Sequence, residues 1–157
     1  MADSVSKGDI AYENFLKGYN CTQAIAVTFA KELGLDEAAA ARLSSGFGGG
    51  MGRLREVCGT FSGVVFVLSS LYGYSEPKDL EGKKDLYEKI RACAAKFRSD
   101  NGSIICRELL GLEKAEESAT PEPRTAEYYK KRPCPELCRY AGNLIEDFIR
   151  DNPPQQV

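Results

Sequence analysis

Residues 57–75 read VCGTFSGVVFVLSSLYGYS, and none of these side chains is charged. How this stretch is read decides the fold. A bilayer span needs about 20 mostly apolar residues, so length alone permits one. The stretch also holds three glycines, four serines and a threonine, and no second span accompanies it. "VVFVL" by itself suits a strand, because β-branched side chains pack well on a pleated surface. Yet Phe61, Val64, Val65, Leu68, Leu71 and Tyr72 recur at helical spacing without a break up to Gly73. A central helix, apolar all round, is the reading that satisfies both length and period.

The flanking sequence is helical in the same way. Tyr12, Phe15, Leu16 and Tyr19 form a short stripe that Gly18 ends. Asn20 then reads as an N-cap, with Gln23 placed to complete a capping box. The helix it opens is expected to run through CTQAIAVTFAKELG to Gly34, and Asp36 caps a third. Beyond YSEPKD a long polar helix carries Leu86, Ile90, Cys93 and Phe97 on one face, and Ser103 is placed to cap a short CRELLG helix. Residues 112–132 are polar, contain prolines and lack apolar period, which suits a loop or lid. Cys134 is expected at the N-cap of a last helix opening at Pro135, with Leu137, Ala141, Leu144 and Phe148 inward and residues 150–157 as a tail. The expectation is one all-α domain over residues 1–157, a helical bundle with a glycine-rich loop.

A net charge of -2 argues against a general nucleic-acid binder. The first residues are polar and acidic, without the apolar core of a secretory signal, so the expected location is the cytoplasm. There is no histidine, which removes Ser-His and Cys-His pairs, mixed Cys/His zinc sites and the CxxCH haem attachment. Chemistry near neutral pH then rests on thiols, carboxylates, tyrosines or a bound cofactor.

Six cysteines are present: Cys21, Cys58, Cys93, Cys106, Cys134 and Cys138. Without an export signal, metal binding or redox chemistry explains them better than a disulfide scaffold. Cys21, Cys58 and Cys134 all fall at expected helix starts, where unpaired N–H groups and the helix dipole favour a thiolate and lower its pKa. Arg53, Arg55 and Arg132 add positive charge nearby. Glu56 and Glu108 could shuttle protons, although surface solvation explains them equally well. Cys93 sits on an apolar face and reads as core. Cys138, four residues after Cys134, is a substitute ligand, a resolving thiol or core, with core favoured.

Seven of the fifteen glycines lie between Gly46 and Gly63. Gly59 and Gly63, one turn apart, suit close helix packing. Gly48, Gly49, Gly50 and Gly52, followed by Arg53, suit a special loop whose amides could cradle an anion. No nucleotide-binding motif can be drawn through them.

CGTFSG at Cys58–Gly63 resembles the CGAxxG signature of the C_GCAxxG_C_C family of redox-active proteins. GYNCTQAI around Cys21, GFGGGMGR before Cys58, CRELLG at Cys106 and CPELC at Cys134 follow in the same order. Thr60 stands where the signature has alanine. The resemblance implies a small helical domain in which Cys21, Cys58, Cys106 and Cys134 matter, with a redox or iron–sulfur role. Three readings follow. The four cysteines could hold an iron–sulfur cluster or zinc, although their gaps of 37, 48 and 28 residues contain no C-x₂-C pair. Two of them could cycle between dithiol and disulfide, Cys21 with Cys58 being the first expectation, serving an unknown electron-transfer partner. Or the loop and its arginines could bind a small anion without catalysis. No haem, nucleic acid or membrane is implied, a homodimer is left open, and no enzyme class follows.

Overall fold

The computed structural model describes residues 4–113 and 117–155. Residues 114–116 of the expected lid and 156–157 of the expected tail lie outside them. Among the described residues the chain is helical, with one isolated antiparallel bridge pairing Val57 with Ile105. The order is α1 Lys7–Leu16, α2 Cys21–Thr28, α3 Glu37–Ser44, α4 Gly48–Met51, α5 Gly59–Tyr72, α6 Leu80–Asn101, α7 Cys106–Leu109, α8 Ala126–Lys131 and α9 Cys134–Asp151. The all-α expectation holds.

The stretch that opened the question is α5. Its buried residues Phe61, Val64, Val67 and Leu68 centre the core, while Ser69 and Ser70 are exposed. It is therefore not enclosed on every side as expected; α2, α6 and α9 cover it, and one face meets water. Among the described residues no helix is long and apolar enough to cross a membrane.

Two close approaches hold the bundle together. At Gly63 a Cβ would stand 2.7 Å from Ile25 Cβ, so α2 reaches α5 only because the side chain is missing. At Gly142 a Cβ would lie 2.6 Å from the Lys7 carbonyl oxygen, and α1 there touches α9 backbone to backbone. Phe97, fully buried, closes the α6 side with edge-on contacts to Phe61 at 5.7 Å and Tyr140 at 5.5 Å.

Four boundaries differ from the sequence expectation. The second helix ends at Thr28, whose hydroxyl donates to the Ala24 carbonyl at 2.7 Å, and turns carry the chain on to Gly34. The last helix starts one residue early: the Leu137 amide donates to Pro133 O, so Pro133 is the N-cap and Cys134 the first helical residue. Ser103 does not cap α7. Its hydroxyl accepts from the Ile105 amide, because the bridge to Val57 makes Ile105 the cap. Within 112–132, residues 126–131 form α8, capped by Thr125, which the polar composition concealed.

Candidate functional site

A cavity of about 410 Å³ opens where the starts of α2 and α9, the glycine loop, Cys106 and residues 119–124 meet. Three cysteines line it: Cys21, Cys106 and Cys134. Arg53, Arg55, Arg124 and Arg132 line it too, against the single carboxylate of Glu122 among the described lining residues. In a chain of net charge -2 that is a marked local concentration of positive charge.

Cys21 is placed by the capping box read from the sequence. Asn20 Oδ1 accepts from the Gln23 amide at 2.9 Å, and Gln23 Oε1 accepts from the Asn20 amide at 3.1 Å. The other end of the Asn20 side chain donates to Ser45 O, which ties α2 to the glycine loop. Asn20→Ala is expected to cost about 1 kcal/mol in urea unfolding, the worth of a lost cap.

Cys134 opens α9 and is half-buried, like Cys21. The neighbouring Cys134 thiol, together with burial, pushes the Cys21 thiol well above its ordinary range. Cys21 and Cys134 thus line one cavity, whereas Cys58 does not line it.

Cys58 is the N-cap of α5 and is buried. Burial pushes its thiol up from 9.0 to about 12. The Phe61 and Thr60 amides pull the other way, but neither closes a full capping hydrogen bond, and burial wins. Cys106 opens α7 beneath Gly50, with Arg55 Nη1 3.7 Å from its sulfur. That guanidinium lowers its pKa, yet burial still leaves it raised. The expectation that helix starts would make these thiols acidic fails at Cys21 and Cys58, because burial outweighs the dipole.

Cys138 is fully buried, its sulfur 3.7 Å from Thr60 Oγ1 and 4.0 Å from the Cys21 carbonyl oxygen. It serves as core next to the pair, and Thr60 holds it in place. Cys93 is buried on α6 in the main core, as its apolar face implied. All six cysteines are free thiols. Among the described residues no group of three cysteines or carboxylates is arranged to hold a metal ion.

The glycine loop is left-handed. Gly49, Gly50 and Gly52 have φ of 69°, 71° and 56°, and Met51, Arg53 and Arg55 join them at 71°, 63° and 61°. Three side-chain-bearing residues in that region are a concentrated strain, of a kind found at functional sites. The loop's amides are largely spent on its own carbonyls: Gly52 donates to Gly46, Arg55 to Gly49 and Glu56 to Gly50. It is thus a scaffold that presents arginines more than a cradle of amides. Gly48, Gly49, Gly52 and Arg53 line the cavity; Gly50 lies under Cys106 instead.

Sequence reasoning missed Arg124 and Glu122. Arg124 donates to the Phe15 and Tyr19 carbonyls and stacks 4.1 Å over the Phe15 ring. Nothing in the local pattern TPEPR signals contacts more than a hundred residues away in the chain.

The profile of the family described as "Putative redox-active protein (C_GCAxxG_C_C)" matches residues 19–148. The chain belongs to that family. The match runs from Tyr19, just ahead of Cys21, to Phe148 in α9, and so takes in every residue that lines the cavity except Phe15. No curated protein and no solved structure matches the chain.

Proposed function

We propose that this member of the family performs two-electron thiol–disulfide exchange at Cys134 and Cys21. The observation that carries the reading is the placing of Cys21 and Cys134, each the first residue of a helix, in the wall of one arginine-rich cavity. Cys134 heads an 18-residue helix, is half-buried and lines the cavity, where a substrate sulfur can reach it. Cys21, held protonated by the neighbouring Cys134 thiol and by burial, is the resolving partner.

In the exchange, the Cys134 thiolate attacks one sulfur of an organic disulfide. A protein–substrate disulfide forms and the first thiolate leaves. Cys21 gives up its proton and attacks the Cys134 sulfur, releasing the second thiolate. The substrate gains two electrons as two thiols, and the protein keeps the Cys21–Cys134 disulfide until an external thiol reduces it. Cys58, Cys93 and Cys138 take no part in this scheme.

The test is mass mapping after titration with a small disulfide under anaerobic conditions, with iodoacetamide trapping at pH 8. The expected product is one Cys21–Cys134 disulfide, lost completely in Cys134→Ser and kept in Cys93→Ser. Cys58 and Cys138 should stay unlabelled in the folded chain. A different pair, or no disulfide, would overturn the reading. So would about one equivalent of iron or zinc per chain that is lost on substituting any of Cys21, Cys58, Cys106 or Cys134, the mark of a metal centre.

A further inference from the structure

Residues 117–123 are exposed throughout and bury no apolar side chain, yet this stretch forms part of the cavity wall. It is held by acceptors reaching for arginines. Arg53 donates to the Ser118 and Thr120 carbonyls. The Glu122 carboxylate lies 2.5 Å from Arg132 and 3.7 Å from Arg53. Arg55 and Arg124 have other tasks, at Cys106 and at the Phe15 and Tyr19 carbonyls. The Arg53 and Arg132 side chains are about 14% and 13% exposed, whereas that of Glu122 is 49% exposed. The arginines therefore belong to the wall, while the carboxylate reaches in from a segment with little else to anchor it.

We infer that the seat between Arg53 and Arg132 is the recognition site for a substrate carboxylate, and that Glu122 occupies it as an internal stand-in. The inference rests on the exchange reading above and names its substrate class: an organic disulfide bearing carboxylates, one bound by the two guanidinium groups and a sulfur presented to Cys134. A planar guanidinium fork can match the two oxygens of a carboxylate, and in the native contact both guanidinium groups converge on Glu122 Oε1. An incoming carboxylate exchanges one charge-assisted contact for another, and residues 117–123, with no buried apolar anchor, can move aside at small cost.

Two measurements separate this inference from the exchange reading. The first is calorimetric binding of suberate, a dicarboxylate that holds no sulfur, against uncharged 1,8-octanediol. Suberate should bind and the diol should not. Glu122→Gln should tighten suberate severalfold by removing the competitor, and Arg132→Gln should weaken it by about tenfold or more, the worth of one charge-assisted contact. If Glu122 were only a surface tie, its removal would leave suberate binding unchanged or weaker, and that result would overturn the inference. Equal binding of the diol would do the same. The second measurement is the rate at which 3,3′-dithiodipropionate, neutral bis(2-hydroxyethyl) disulfide and cationic cystamine oxidise the chain. The dianion should lead by about tenfold and the dication should trail. A neutral disulfide as fast as the dianion overturns the substrate class. Suberate binding as expected, with no disulfide reacting, supports the seat and defeats only the exchange.

Discussion

Gly50→Ala should destabilise the chain by about 2–5 kcal/mol, read as urea unfolding of the reduced protein. Two costs add. A left-handed residue with a Cβ costs about 1–2 kcal/mol, and Gly50 has φ 71°. The new Cβ would also stand 2.6 Å from Cys106 Cβ and 2.7 Å from both Arg55 Cα and the Glu56 amide nitrogen. Overpacking of this kind costs about 1–3 kcal/mol more, and two of the three atoms are backbone that cannot swing away. Gly18→Ala is the control. It has φ 111°, but open space surrounds it, so only the conformational cost remains. If the two variants proved equally stable, the packing of Cys106 against the glycine loop would not hold as described.

The second large effect is alkaline. Burial holds the Cys58 thiol protonated up to about 12, whereas an unfolded cysteine gives up its proton near 9.0. The neutral thiol is the form the fold favours, so its stability is intact below pH 9 and is lost as pH rises towards 12. Three pKa units correspond to about 4 kcal/mol, a large share of a domain's total. Cys138 and Cys21 are pushed the same way and deepen the loss. Urea stability measured under reducing conditions should therefore fall steeply from pH 8 to pH 10.5. In Cys58→Ala the fall should be smaller by about 2 kcal/mol, since one buried thiol no longer titrates. An unchanged pH dependence in that variant would mean that Cys58 is solvated.

Much of the fold was legible because its signals are local. The period of Phe61, Val64 and Leu68, the Asn20–Gln23 box and the Asp36 cap each lie within a few residues, and each was read correctly. Gly59 and Gly63 were read as packing positions, and they are: a Cβ at Gly59 would stand 3.2 Å from Cys21 Cβ. The order of the cysteine motifs was enough to suggest the family. What the sequence did not disclose depends on meetings across the chain. That Cys21 and Cys134 line one cavity, and Cys58 does not, follows from where α9 lands beside α2. The thiol pKa values were misjudged because helix-start placement is local, while burial is a property of the whole bundle. Glu122 and Arg124 sit in a segment without period, so no rule of spacing could have assigned them to the cavity.

The contact between α1 and α9 has a consequence for how the molecule is made. The Cys138 sulfur and the Cys21 carbonyl it approaches are 117 residues apart, and the face of α1 that meets α9 stays uncovered until those late residues appear. At a synthesis rate of roughly 5–20 residues per second, that delay is on the order of 6–23 seconds. Throughout it the nascent chain presents Cys21, and then Cys58 and Cys106, as ordinary accessible thiols, since burial has not yet raised their pKa values. The window of greatest exposure to oxidation thus falls during translation, before the last helix arrives to enclose them.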